Sequence, residues 1–165
     1  MDSLDEPPSA LSDRRDALRS RARQAVAAVA RFLRAAEELY DCPCCGYLTL
    51  TGPRINICAI CVWSDDGQDD DTASVVRGGS NLDLSLDDAR ANVRRYLVMY
   101  APDDRRVPAE IELISKKKEI IGEFDAALKA ESDGEAIEAL CRAREAMSAL
   151  NAMRGEVYDR SVEPW

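Results

Sequence analysis

Cys42 and Cys45 form one C-x-x-C pair, Cys58 and Cys61 form a second, and residues 46–57 separate them. Each such turn aims two thiolates at one point, so the doubled pair predicts a single tetrahedral zinc held by sulfur at ~2.3 Å. Cys44 leaves the first pair open to two readings, since Cys42 can ligate with Cys44 or with Cys45. The 42/45 choice matches the second pair. It also puts Gly46 directly after the knuckle, where a residue free to take positive φ is wanted. Cys44 is then a spare thiol beside the site, a candidate reactive group. Cys141 falls on an apolar helical stripe and reads as a small buried hydrophobe. A dithiol–disulfide couple is the competing chemistry. Redox C-x-x-C motifs usually open a helix after a strand, whereas the first pair here leads into a strand-like segment and the second follows one.

Other chemistry is excluded by composition. The chain contains no histidine, which removes Ser-His-Asp and Cys-His catalysis and every His-ligated zinc site. Net charge is −9, and the cysteine region is acidic: Asp41, Asp65, Asp66, Asp69, Asp70 and Asp71 stand against Arg54 and Arg77. A phosphate-tracking surface needs the opposite sign, so nucleic acid is disfavoured there and a basic protein partner fits better. Asp65, Asp66, Asp69, Asp70 and Asp71 lack the alternation and closing glutamate of a calcium loop; they read as a solvated acidic loop and as candidate partner contacts. Trp63 reads first as packing over the metal site, with partner contact as the alternative. Gly78-Gly79-Ser80-Asn81 reads as a turn, without the lysine of a phosphate-binding loop. Lys116-Lys117-Lys118 fans around a helix and reads as solvated surface.

These groups need elements to position them. Leu18, Ala22, Val26, Val29, Phe32, Leu33, Ala36 and Leu39 recur mostly at steps of three and four, predicting a helix from about Ser12, as N-cap, to Tyr40. Arg14, Arg15, Arg19, Arg21, Arg23 and Arg34 lie mostly off that stripe. Tyr47–Thr51 and Ile55–Ile57 flank Gly52-Pro53 and predict a short hairpin between the cysteine pairs. Ser85-Leu86-Asp87-Asp88 resembles a capping box and starts a helix that buries Leu86, Ala89, Val93, Tyr96 and Leu97 and ends at Ala101-Pro102. Beyond Pro108, Ile111, Ile114, Ile121 and Leu128, reinforced by Leu113, Ile120 and Phe124, predict a helix over about 109–130. A second box at Ser132–Glu135 opens a last helix to about 158, and the two should pack as an antiparallel hairpin.

At the cysteines the chain resembles a known family. Cys42-Pro43-Cys44-Cys45-Gly46-Tyr47-Leu48-Thr49-Leu50 is similar to the signature of the bacterial cysteine-rich CPCC family. The likeness continues through Ile57–Gly67, Gly78–Asn81 and Ser85–Asn92, covering about residues 40–97. Ala59 replaces a usual proline and Ser64 a usual glutamate; neither is a ligand, although the missing glutamate weakens a role for the acidic cluster. The resemblance implies a zinc-binding domain of mostly unassigned activity, with some members that look like immunity-type partners of toxins.

The expected fold is α+β, mostly α: a four-cysteine zinc-ribbon hairpin among longer helices. Its parts are a flexible leader over 1–12, a helix over 13–40, the ribbon module over 41–100, a helical hairpin over 101–160 and a tail over 161–165. No secretory signal pattern and no apolar run of ~18–20 residues is evident, so the expectation is a cytoplasmic protein without a membrane span. The expected function is a non-catalytic, zinc-stabilised protein-interaction module, an immunity or regulatory partner. The alternatives are an accessory thiol or metal enzyme using Cys44, and a nucleic-acid-binding regulator using the arginine-rich first helix.

Overall fold

The computed structural model describes residues 8–29, 39–52 and 56–161. The element order is α1 (Pro8–Val29), β1 (Tyr40–Asp41), β2 (Leu48–Leu50), α2 (Leu86–Tyr96), α3 (Val107–Glu112), α4 (Ile114–Lys129) and α5 (Asp133–Ser161). The architecture is mostly helical, with a two-stranded hairpin that carries the four cysteines.

α1 starts at Pro8, earlier than the sequence pattern predicts. Proline suits the first helical turn, where its missing N–H costs nothing. Ser12 is consequently an exposed interior residue of the helix and not its cap. Leu18 enters the core and Ala22 packs against it. The predicted stripe residues Phe32, Leu33 and Ala36, together with Arg34, lie outside the described residues, as do residues 1–7 and 162–165.

Pro53 and Ile55 of the expected turn and returning strand lie outside the described residues. β1 and β2 are antiparallel, with Tyr40 opposite Leu50 and Asp41 opposite Leu48. They enclose the first cysteine pair. Ile57 is exposed and bridges Ser64 across the second pair. The reason is local: a C-x-x-C turn reverses the chain so tightly that its own flanks become neighbours. β2 is buried throughout, because packed elements cover both of its faces.

α2 carries the predicted capping box. Ser85 Oγ accepts from the Asp88 N–H at 3.1 Å, and the Ser85 N–H returns to Asp88 Oδ2 at 3.2 Å. The helix stops at Leu97, which takes φ 52°, short of the expected Ala101-Pro102 stop. Tertiary bonds take the backbone over from there: Asn92 Nδ2 donates to Met99 O at 2.9 Å, and the Met99 N–H donates to Cys61 O at 2.8 Å. Leu97 to Tyr100 thus run as a buried strap against the second pair.

α4 and α5 pack together, and α1 lies against both. Glu123 pairs with Arg142, and Glu110 pairs with Arg154. These nested pairs fix the antiparallel sense. Ser132 and Glu135 cap α5 reciprocally. Two expectations fail here. Ile111 is 46 % exposed, because α3 breaks from α4 at Leu113 and turns that face outward. Lys117 is fully buried, where the sequence reading had a solvated lysine.

Candidate metal centre

The two knuckles have the same backbone design. In the first, the Gly46 N–H donates to Cys42 O at 2.9 Å and the Cys42 N–H to Tyr47 O at 2.9 Å. In the second, the Val62 N–H donates to Cys58 O at 3.0 Å and the Cys58 N–H to Trp63 O at 2.9 Å. The residue after each pair takes positive φ, 78° at Gly46 and 67° at Val62. Glycine does this freely, whereas a β-branched residue is strained there.

The four sulfurs converge. Cys42 and Cys61 Sγ are 3.6 Å apart, as are Cys45 and Cys58 Sγ, and all four lie within 4.8 Å of one another. A tetrahedral ion with ~2.3 Å bonds requires sulfur–sulfur edges of about 3.8 Å. The donor set therefore fits one metal ion. Thr49 Oγ1 lies 2.9 Å from Cys58 Sγ, and the Cys61 N–H donates to the same sulfur at 3.4 Å.

Burial sets the chemistry of the thiols. Burial foremost pushes Cys42, Cys45 and Cys61 well up from ordinary thiol values. It opposes ionisation of Cys58 as well, but bonds from the other three ligands and from Thr49 outweigh it and hold Cys58 well below. A cation binding among them would have to displace thiol protons.

Cys44 stays outside the cluster, 2 % exposed. The 42/45 pairing is the one the geometry builds. The burial of Cys44 works against ready thiol reactivity. Cys141 is half-buried on α5 and not enclosed. Trp63 is fully buried and its Nε1 finds no hydrogen-bond partner among the described residues; it is core, with no face to offer a partner.

The acidic loop is not uniformly solvated. Arg15 Nη1 donates to Asp69 Oδ1 at 3.0 Å, and Arg90 Nη2 to Asp70 Oδ1 at 2.6 Å. Asp66 accepts from the Gln68 N–H, Asp65 accepts from the Gly67 N–H, and Asp71 is exposed. Asn81 grips Ser64 through both amide atoms, at 2.9 and 2.8 Å. Several arginines of α1 are engaged within the fold, whereas Arg23 is exposed. Arg15 Nε meets Asp41 at 2.6 Å, Arg19 Nε meets the same carboxylate at 2.5 Å, and Arg21 Nη1 reaches Asp133 at 3.1 Å. Arg14 lies over the Tyr47 ring at 4.8 Å and donates to Cys45 O at 2.9 Å. A phosphate backbone would have to compete with these partners.

Sequence reasoning missed the cations around the knuckles. Arg90 Nη2 donates to Pro43 O at 2.8 Å, Arg154 Nη2 to Ala59 O at 2.7 Å, and Lys117 Nζ to Leu97 O at 2.7 Å. For Lys117 a signal existed. Leu113, Lys117, Ile120 and Phe124 are spaced by four, three and four residues, one continuous face of α4. For Arg154 no sequence signal pointed to a carbonyl far away in the chain.

Residues 40–109 match the family model described as Cysteine-rich CPCC. The chain therefore carries a cysteine-rich CPCC domain over that span. It holds both knuckles, the acidic loop, α2 and the first residues of α3, and it extends past the 97 boundary of the sequence resemblance. No curated protein and no solved structure matches the chain.

Proposed function

We propose that this chain is a non-catalytic, zinc-stabilised protein-interaction module with a regulatory or immunity-type partner role. One observation carries the non-catalytic half. All four ligand cysteines are buried, at 0–3 % exposure, and their sulfurs face one another. An ion among them has four protein ligands and no open position for water or substrate, as in structural zinc sites. An all-sulfur tetrahedral set suits zinc or an iron–sulfur centre; the single-ion spacing favours zinc. Among the described residues no helix is long and apolar enough to cross a membrane.

The interaction half rests on the surface. Val75, Val76 and Leu82 are exposed within the acidic segment, beside Asp71, Asp83 and Asp87, which are also exposed. Leu82 holds φ 59° and ψ −141°, a backbone state that only glycine adopts without strain. Exposed apolar side chains interspersed with aspartates suit a basic, partly apolar protein surface. Asp69 and Asp70 are already engaged by Arg15 and Arg90, and Asp71 is exposed beside them.

Metal analysis of the purified chain should give one zinc per molecule and little iron. Comparing co-purifying proteins between wild type and a Val75→Ser, Val76→Ser, Leu82→Ser variant tests the interaction surface. An identical set of bound chains from both would overturn that half of the reading.

A further inference from the structure

Pro43 and Ala59 occupy the same place in their two knuckles, the position after the first cysteine of each pair. Their carbonyls have the same kind of partner. Arg90 of α2 donates Nε and Nη2 to Pro43 O at 3.1 and 2.8 Å. Arg154 of α5 donates Nη2 to Ala59 O at 2.7 Å. A third guanidinium, that of Arg14 on α1, reaches Cys45 O. Three helices far apart in sequence thus each place an arginine on a knuckle carbonyl.

Two consequences follow from charge. A divalent ion bound by four thiolates is a net anionic centre buried away from water, and a buried charge requires nearby compensation. Hydrogen bonds to a peptide carbonyl also polarise that peptide and fix its orientation in the knuckle. Arg154 is itself fixed in place. Its Nε donates to Glu110 Oε1 at 2.7 Å, and Glu110 is held in turn by Lys117 and Tyr158. Arg90 lies inside the matched domain span and Arg154 lies outside it.

We propose that Arg90 and Arg154 are equivalent positioning residues of the metal centre, and that Arg154 couples docking of α5 to metal binding. The proposal rests on the zinc reading above. Groups that orient metal ligands from outside the first set of donors commonly change metal affinity 10–100-fold when removed. By linkage, whatever factor α5 docking adds to metal affinity, metal must add to α5 docking.

The test uses the full chain, with zinc competed against a chromophoric chelator and Co²⁺ absorption as a report on tetrahedral sulfur ligation. Arg154→Ala should weaken zinc binding by about 10–100-fold and perturb the Co²⁺ spectrum. Arg154→Lys, which keeps a cation for Ala59 O, should recover part of the loss. Arg142→Ala is the control on the same helix, since Arg142 bonds the side chain of Glu123 on α4 and not a knuckle carbonyl, and it should leave affinity unchanged. A wild-type chain that takes up no zinc would overturn the zinc reading and this inference together. Wild-type binding matched by Arg154→Ala would overturn the inference alone. Hydrogen exchange on the wild-type chain keeps the question open to decision if Arg154→Ala does not fold. Amides of α5 around Arg154 should lose protection when zinc is chelated, and unchanged protection there would overturn the coupling.

Discussion

Lys117 Nζ lies 2.6 Å from Glu110 Oε2, and neither side chain is exposed to solvent. Arg154 and Tyr158 bond the other oxygen of the same carboxylate, at 2.7 and 2.9 Å. A fully buried ion pair and a partly buried guanidinium are therefore joined where α3, α4 and α5 meet. The donors left over are spent on Leu97 O and Ala59 O, on the strap and the second knuckle. A buried pair is costly to assemble but costlier to break, because a lone charge stays behind.

Lys117→Met should therefore destabilise the metal-loaded chain by about 3–5 kcal/mol, from urea denaturation. Adding Glu110→Gln should restore more than about 1 kcal/mol relative to the sum of the single changes. Strict additivity of the two would show that they do not act as a pair.

The same carboxylate sets a pH dependence. Burial alone would raise the Glu110 pKa, but the Arg154 hydrogen bond and the Lys117 charge outweigh it and hold it below its ordinary value. A lowered folded value contributes stability above the unfolded pKa of about 4.3 and loses it as pH falls through the folded value. Stability of the metal-loaded chain should decline on acidification below pH ~4, and Glu110→Gln should flatten that limb. Equal acid slopes for the two proteins would remove Glu110 as its source.

The cluster geometry separates the six cysteines. Cys58→Ser should abolish stoichiometric metal binding, since this sulfur also receives Thr49 and the Cys61 N–H. Cys44→Ala and Cys141→Ser should keep one ion per chain. Metal lost from Cys44→Ala and retained in Cys45→Ala would reverse the ligand assignment.

The two knuckle corners should respond oppositely to substitution. A Cβ on Gly46 would sit 2.6 Å from Leu11 Cδ1 and 3.2 Å from Arg15 Cγ, on a backbone at φ 78°. Gly46→Ala should cost about 1–3 kcal/mol and loosen α1 from the knuckle. Val62→Gly relieves a left-handed strain of about 1–2 kcal/mol, which offsets the packing lost. It should change thermal stability little, and a large drop in Tm would contradict that.

How much of this was legible depended on whether a residue acts on its neighbours or across the fold. The ligand spacing, the Ser85–Asp88 box and the Ser132–Glu135 box are local patterns, and each forms as the sequence predicts. The pairing of β2 with β1 across the first knuckle had no β-propensity signal at Tyr40-Asp41, because closure of the C-x-x-C turn brings those flanks together. The α2 stop was misplaced because Pro102 is a local signal, while the actual stop depends on bonds to Cys61 and from Asn92.

Four cysteines at two matched turns, in a chain without histidine, already specify a candidate metal centre whose turns offer sulfur donors alone. Tertiary structure alone decided how that centre is enclosed. Lys117, read as solvated surface, and Arg15, read as lying off the apolar stripe, became its braces together with Arg154, which the sequence did not single out. The physical reason is that a charge shows its type in sequence but not its partner. Whether it stays in water or is buried against a carbonyl or carboxylate is settled only when distant helices bring that partner within about 3 Å.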